Sequence, residues 1–160
     1  MEIVQATPYH IEFLTPLFDQ YRQFYRQGSD PEGGREFLLD RMKRRESIVY
    51  LALQDGRAVG FVQLYPCFSS TSMKRLWILN DLFVSPTARR SGIGKALIAR
   101  ARELAIENQC QGTSAFNRNP QYQRAGAVRT SRVPPGYGFL PILHGPLSFD
   151  TFRTSRTSLS

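Results

Sequence analysis

Apolar and polar positions follow regular periods over residues 1–110 of this chain and lose that order afterwards. Residues 2–6 have the pattern of a short strand, and a helix is predicted directly after it. The core-facing positions of this helix recur three and four residues apart: Ile11, Leu14, Leu17, Phe18 and Tyr21. A polar turn at residues 28–31 ends it, and Pro31 suits the first turn of a second helix. The second helix is expected to bury Phe37, Leu38, Leu39 and Met42.

The middle of the chain has the short apolar runs that are typical of strands. Two of them, residues 48–53 and 58–65, flank Asp55-Gly56, which is a signal for a hairpin turn. A loop is predicted over residues 66–72 and a third strand over residues 76–84. The last helix shows one apolar face, made of Ile93, Leu97, Ala101, Leu104 and Ala105. This order predicts an α/β (α+β) fold in which helices flank a central sheet.

Length and composition are those of one globular domain. No apolar run is long enough to predict a membrane span. The first residues lack the basic and apolar segments of a signal peptide, so a cytoplasmic location is expected. Cys67 and Cys110 lie far apart, without the spacing of metal ligands, and His10 and His144 form no cluster with them. We therefore expect free thiols and no bound metal.

The formal net charge of +8 is divided unevenly along the chain. Residues 1–110 hold fifteen lysines and arginines against twelve acids, a balance of +3. Residues 111–160 hold six arginines and one acid, Asp150, a balance of +5, and are rich in Ser, Thr, Pro and Gly. We interpret residues 1–110 as the folded core and residues 111–160 as a basic, irregular or disordered tail.

A basic, glycine-containing turn separates the third predicted middle strand from the last helix. The strand stops at Ser85-Pro86, and residues 89–95 read Arg-Arg-Ser-Gly-Ile-Gly-Lys. The first turn of a helix has backbone N–H groups without internal partners, and the helix dipole adds partial positive charge there. Arg89, Arg90 and Lys95 add full charges. The turn is therefore predicted to bind a phosphate group.

The spacing of the glycines narrows the choice of phosphate ligand. A G-x-x-x-x-G-K-[ST] loop is absent, and no third glycine completes the G-x-G-x-x-G fingerprint of dinucleotide sites. The pattern Arg89-x-x-Gly92-x-Gly94, placed directly after Leu82-Phe83-Val84, resembles the acyl-CoA pyrophosphate loop of the GNAT superfamily of N-acetyltransferases, [QR]-x-x-G-x-[GA]. The resemblance covers about residues 2–110. A strand-to-helix turn with glycines that serve only geometry is the alternative.

The resemblance implies a GNAT-type acyl-CoA N-acyltransferase fold with a mixed central sheet, and acetyl-CoA as the co-substrate. Its pyrophosphate would bind the amides of residues 90–95, and its pantetheine would lie along the strand that ends at Val84. The implied cofactor-binding residues are Leu82, Phe83, Val84, Arg89, Arg90, Ser91, Gly92, Ile93, Gly94 and Lys95. The acetyl group would pass directly to a primary amine of a small molecule or peptide. The family often forms homodimers.

Candidate catalytic carboxylates are few. Asp81, one residue before the expected pantetheine strand, could accept a proton from the amine; a surface or substrate-positioning acid is the alternative. Glu12, Glu36 and Asp40 could line an amine pocket, although a solvated role is favoured. The basic cluster at residues 41–45 is interpreted as a solvated face.

Residues 111–160 depart from the family pattern. The resemblance requires a further strand, a helix with a Leu-Tyr-Glu motif, a Gly-aromatic turn and two closing strands after residue 110. The tyrosine of that motif often protonates the leaving thiolate, but Tyr122 and Tyr137 do not match it. The closing strands are therefore expected to be missing or disordered.

A frameshift near Gln111 would explain this departure. Codons that can encode residues 111–147 permit, when read one base later, a peptide with Leu-Tyr-Glu, a Gly-Tyr turn and two closing strands. The change in charge at the same place supports the hypothesis, and a diverged or disordered tail is the alternative. From the chain as it stands we expect weak CoA binding and little or no turnover.

Two other classes of function stay open at the level of sequence. One is a non-catalytic module that binds CoA. The other is a basic protein associated with nucleic acid or the ribosome, as the pI near 10.0 suggests. The second is not favoured, because the basic residues form no stripe and few aromatics, such as Phe149 and Phe152, lie among them.

Overall fold

The computed structural model of the protein describes residues 1–70 and 73–108, and the backbone of residues 113–115. The strands are β1 (Glu2–Gln5), β2 (Ile48–Gln54), β3 (Arg57–Ser69), β4 (Lys74–Val84) and β5 (Thr113–Ala115), and the helices are α1 (Ile11–Phe24), α2 (Pro31–Lys43) and α3 (Ile93–Glu107). Short 3-10 turns at Pro8–His10 and Pro86–Ala88 precede α1 and follow β4. No helix in the described ranges is long and apolar enough to cross a bilayer.

The five strands form one sheet in chain order. The first four are antiparallel to their neighbours, and β5 runs parallel to β4 opposite Trp77–Leu79. The sheet is therefore mixed, as predicted. The β2–β3 hairpin turns at Asp55 and Gly56, both at positive φ, 51° and 74°. Such backbone angles match the twist of the strands, which confirms the hairpin prediction.

Helices cover the two faces of the sheet. α3 packs on one face, where its predicted apolar positions Ile93, Leu97, Ala101, Leu104 and Ala105 are all buried. α1 and α2 cover the other face, where Leu14, Leu17 and Leu38 pack against Phe61 and Phe83 of the sheet. Strand alternation thus divides the core into an α3 face and an α1/α2 face.

One buried carboxylate holds the connection between α1 and α2. Asp19 is 7% exposed and accepts hydrogen bonds from Gln23 Nε2 (2.7 Å), Ser29 Oγ (2.8 Å) and the Asp30 amide (2.8 Å). Asp30 in turn caps α2 by accepting from the Gly33 amide at 2.9 Å. The polar turn at residues 28–31 is therefore an ordered connection that side chains fix.

Two predictions from the pattern were wrong. Phe37 is 41% exposed, because α2 packs through Gly34 and Leu38, and Gly34 lets the helix approach Phe18 closely. The loop predicted over residues 66–72 is strand as far as Ser69. Pairing of β3 with β2 ends at Leu64, so among the described strands β3 has a partner on one side only at Pro66. Proline is tolerated on such an edge.

Part of the predicted tail belongs to the sheet. Residues 113–115 form β5, a strand that the pattern of the tail did not predict. The positions Cys110, Gln111, Tyr122 and Tyr137 lie outside the described residues. The division at residue 110 and the frameshift near Gln111 therefore stay predictions.

Candidate active site

The glycine turn has the backbone geometry of an anion-binding loop. Arg90 and Gly92 both have positive φ, 66° and 82°, and α3 begins directly afterwards at Ile93. The first helical hydrogen bond runs from the Ala96 amide to Gly92 O at 3.0 Å. The amides of Ile93, Gly94 and Lys95 therefore precede the helical ladder. Together with the helix dipole they form a site that favours a negatively charged group.

Two side chains of the predicted CoA set brace this loop. Arg89 Nε donates to Val84 O at 3.1 Å, and Ser91 Oγ donates to Ala88 O at 2.6 Å. Arg90 and Lys95 are exposed at the loop surface. The set thus divides into residues that shape the turn and residues that can carry charge to a ligand. Sequence spacing alone did not separate these two roles.

Strand β4 presents an edge beside this loop. The Ser85 amide donates to Val59 O of β3 at 2.9 Å, so the preceding carbonyl of Val84 points to the opposite edge of the strand. Leu82 has the same orientation as Val84, since backbone groups alternate along a strand. Within the part of the chain that is described, β5 pairs with Trp77–Leu79 and not with Leu82–Val84.

A β-bulge aims Asp81 at the α1/α2 face. Gln63 pairs with Asp81 and Leu64 pairs with Leu79, which leaves Asn80 as the extra residue in β4. Such a bulge bends its strand and redirects a side chain. Asp81 is 6% exposed and accepts hydrogen bonds from Tyr21 OH (2.5 Å) and Asn80 Nδ2 (3.0 Å). It is therefore not a surface acid, which removes one of its two alternative interpretations.

Burial dominates the electrostatics of Asp81. It raises the pKa of the carboxyl above the ordinary 3.8, and the hydrogen bonds from Tyr21 and Asn80 only partly oppose it. Burial also raises the pKa of the neighbouring Tyr65 to about 12, and the charge of Asp81 adds to that increase. A buried carboxyl with a raised pKa is a better proton acceptor than an exposed one.

Tyr21 was predicted only as a core-facing position of α1. Its ring does lie among aromatic rings, with edge contacts to Phe61 (5.7 Å between centroids) and Phe83 (6.3 Å). Its hydroxyl, however, reaches Asp81 across sixty residues of sequence. A tyrosine at a core-facing position needs a partner for its hydroxyl, and that was the signal that could have marked it.

The carboxylates of the early helices have other partners. Glu12 pairs with Arg35 (3.2 Å), and Asp40 pairs with Arg41 and with Arg44 (2.8 Å). The guanidinium of Arg44, followed by that of Arg41, lowers the pKa of the Asp40 carboxyl. Glu36 is exposed on α2. These groups form an ion-paired, solvated face, which agrees with the favoured interpretation.

A shallow cavity of about 370 Å³ lies between the β2–β3 hairpin and the 3-10 turn after β4. It is lined by residues of the β2–β3 hairpin and of that turn: Gln54, Asp55, Arg57, Val59, Thr87 and Ala88. It contains none of the candidate residues. The loop, the β4 edge and Asp81 define the candidate site instead.

The chain matches the Acetyltransferase (GNAT) family over residues 14–127. A fold of this type with a glycine turn between a strand and a helix is what the resemblance implied. The protein therefore belongs to the GNAT family, and its enzyme class is N-acetyltransferase.

Individual relatives agree with this assignment. The uncharacterized N-acetyltransferase YhfO of Bacillus subtilis (strain 168) is 49% identical over 108 residues, which are 68% of this chain and 72% of the relative. A crystal structure of a probable acetyltransferase is 42% identical, with a TM-score of 0.77, and the match covers 89% of this chain and 99% of that one. The aminoglycoside N-acetyltransferase AAC(6')-Iy in complex with CoA shares the fold at 21% identity, with a TM-score of 0.64 over 78% of this chain and 81% of its own.

Proposed function

We propose that the core of this protein takes an acetyl group from acetyl-CoA and transfers it to a primary amine. The observation that carries the donor assignment is the loop itself. Two residues at positive φ, Arg90 and Gly92, lead into the start of α3, where three amides precede the helical ladder. A diphosphate matches the charge and the hydrogen-bonding capacity of this loop. Arg90 and Lys95 supply the neighbouring positive charges.

The edge of β4 supports the position of the pantetheine. An extended polyamide arm can pair with exposed strand groups as an additional strand does. Leu82 and the Val84 amide offer such groups on the edge next to the loop, while Arg89 occupies the Val84 carbonyl. An N–H of this strand would also donate to the thioester carbonyl oxygen and stabilise the charge that develops there.

Asp81 is the proposed proton acceptor. An alkylammonium has a pKa near 10, so the acceptor must lose a proton before its nitrogen can attack. Asp81 takes that proton, and the neutral amine attacks the thioester carbonyl carbon. The C–N bond forms, the C–S bond breaks, and the electron pair of the C–S bond leaves with the CoA thiolate. A substrate-positioning role, in which Asp81 only holds the ammonium, is the alternative.

The donor site can be tested by thermal unfolding with acetyl-CoA. At about one hundred times Kd, binding adds about 2.7 kcal/mol and raises Tm by roughly 5–10 °C. In Gly92→Glu we expect little or no shift, because the new carboxylate repels the diphosphate. Acetyl-pantetheine, which lacks the diphosphate, should stabilise the wild-type chain far less.

Gly56→Glu is the matched control for Gly92→Glu. Both glycines have positive φ, 74° and 82°, and a Cβ at either position meets no atom within 4 Å. The two variants therefore carry similar backbone strain and the same added charge, but Gly56 lies in the β2–β3 turn. Equal stabilisation of both variants by acetyl-CoA would contradict the donor site.

The acceptor can be found by measuring thiol release from acetyl-CoA with a panel of amines. Spermidine, kanamycin, glycinamide and a peptide with a free N-terminus cover polyamines, aminoglycosides, amino-acid derivatives and protein termini. Kanamycin is included because AAC(6')-Iy, which shares the fold, is named an aminoglycoside N-acetyltransferase. An N-acetylated product identified by mass spectrometry would support transfer to an amine.

A further inference from the structure

The carboxylate of Asp81 is held asymmetrically. Both hydrogen bonds that it accepts, from Tyr21 OH at 2.5 Å and from Asn80 Nδ2 at 3.0 Å, end on the same atom, Oδ1. Among the described residues no hydrogen bond ends on Oδ2. The two oxygens of one carboxylate therefore have different roles available: one is anchored to the protein, and the other can take a proton.

The Tyr21 hydroxyl is well placed to be the fixed anchor. Its ring lies edge-on against Phe61, Phe83 and Tyr25, with interplanar angles of 82°, 71° and 68°. These contacts come from β3, from β4 and from Tyr25, the residue directly after α1. The ring cannot move far without losing them, so its hydroxyl has a defined position. Asn80, by contrast, is the bulge residue next to Asp81 in the chain.

We propose that Tyr21 is a positioning residue for Asp81. Its hydroxyl holds Oδ1, so that Oδ2 is the oxygen that takes the proton of the acceptor amine. This role of Asp81 rests on the function proposed above. No family pattern in the sequence marks Tyr21. Its hydroxyl donates to Asp81, so its proposed effect on the reaction is exerted through Asp81.

Removing the Tyr21 hydroxyl should change the pKa of Asp81 in a predictable direction. A hydrogen bond to the ionised form favours that form, so its loss raises the pKa of Asp81 further. The other groups that face Asp81 in the described structure are Tyr65 of β3 and, beyond it, Arg41 of α2. Tyr65 stays neutral up to about pH 12, so it does not titrate in the same range.

The first experiment follows the Asp81 carboxyl directly in the full chain. Protein labelled with carboxyl-¹³C aspartate is titrated by NMR, and Asp81→Asn identifies the Asp81 signal. In Tyr21→Phe the midpoint of this signal should move to higher pH, while the ring contacts are kept. Equal midpoints in wild type and Tyr21→Phe would overturn the proposal.

Tyr50→Phe is the control variant. Tyr50 is also a buried tyrosine, but it lies on the α3 face, and its hydroxyl has no hydrogen-bond partner within the described residues. Its substitution should leave the Asp81 midpoint unchanged. A shift of the same size in Tyr50→Phe would mean that loss of any buried hydroxyl has this effect, and would also overturn the proposal.

The second experiment measures kcat/KM against pH with the amine that the panel identifies. In Tyr21→Phe the acidic limb of this profile should move to higher pH. At pH values below the limb, kcat/KM should fall on the order of tenfold, and at pH values above the limb it should return to the wild-type value. A loss of the same size at every pH would assign Tyr21 a merely structural role. If neither this chain nor a chain with the frame restored from about residue 111 transfers an acetyl group, the proposed function fails, but the NMR titration still decides the Tyr21–Asp81 contact.

Discussion

At the scale of single residues, the candidate site places a charge where folding alone would not place one. Asp81 is buried, its hydrogen bonds come from neutral donors, and no ion pair reaches it within the described residues. A buried carboxylate without a cationic partner costs stability. Such a stability cost is common for residues that take part in a reaction. The role of Asp81 can therefore be tested by measuring protein stability, without a substrate.

Asp81→Asn is expected to stabilise the protein at neutral pH. Because the folded-state pKa of Asp81 is raised, its contribution to stability is fully present below the unfolded value of 3.8 and is lost as pH rises through the folded value. Asparagine keeps the acceptor for Tyr21 and carries no charge. We expect a gain of about 1–2 kcal/mol near pH 8, measured by urea unfolding, that disappears below pH 4.

The pH dependence is the check on this interpretation. A gain that is equal at pH 4 and pH 8 would come from packing rather than from the charge of Asp81. A loss of stability at pH 8 would mean that the ionised carboxylate is a net stabilising group in the folded protein. Either result would remove the electrostatic basis for Asp81 as the proton acceptor.

At the scale of elements, Asp19 fixes the connection between α1 and α2. The amide of Asp30 is the largest cause that lowers the pKa of Asp19, and Ser29 and Gln23 add to the effect. Its contribution to stability is therefore present above pH 3.8 and is lost as pH falls through the folded-state pKa. The helix that carries Tyr21 depends on the same connection.

Asp19→Ala should destabilise the fold by roughly 2–3 kcal/mol at pH 7, because it leaves three donors without their acceptor. The measurement is urea unfolding beside Asp40→Ala. Asp40 makes exposed ion pairs with Arg41 and Arg44, and its removal should cost much less than the removal of Asp19. Equal losses in the two variants would contradict the role of Asp19 as a buried clamp.

Periodicity predicted the elements better than it predicted their contacts. The buried face of α3 and the hairpin at Asp55-Gly56 follow from local spacing and turn chemistry, and both were confirmed. The bulge at Asn80 could not be predicted, because it depends on the register between β3 and β4. Because the bulge could not be predicted, neither the sequence of α1 nor that of β4 indicated that Tyr21 pairs with Asp81.

Packing between helices was equally hard to predict. Phe37 looked like a core position because of its size, but Gly34 brings α2 close to Phe18 and leaves Phe37 stacked at the rim, 5.9 Å from the Phe18 ring. The glycine turn is the opposite case. Its proposed function depends on backbone angles that glycine permits locally, so the sequence alone was enough to propose the site.

At the scale of the whole molecule, most of the net positive charge belongs to residues 111–160. Residues 1–110 have a balance of +3, and five arginines among them pair with carboxylates: Arg22, Arg35, Arg41, Arg44 and Arg100. The remaining +5 belongs to residues 111–160. The high pI therefore gives little support to a nucleic-acid function for the core.

The uneven charge leads to a prediction about the gene. We propose that residues from about 111 onward are encoded in a shifted frame, because charge and periodicity change together there and residues 111–160 contain no Leu-Tyr-Glu motif. Read one base later, the codons of residues 111–147 should then encode a strand, a Leu-Tyr-Glu motif and a Gly-Tyr turn. DNA sequencing checks this directly, and stop codons or an unpatterned peptide would refute it.

A chain with the restored frame should bind acetyl-CoA more tightly than the present chain. Within the described residues, β5 pairs with β4 at Trp77–Leu79 only. A longer strand that continues from there and diverges from residues 80–84 would leave that edge open and form the second wall of the pantetheine cleft. Thermal unfolding of both chains with acetyl-CoA measures the difference, and Gly92→Glu in the restored chain is the control for binding at the loop. Equal stabilisation of the two chains would mean that residues 1–110 alone form the donor site, and that the tail does not limit CoA binding.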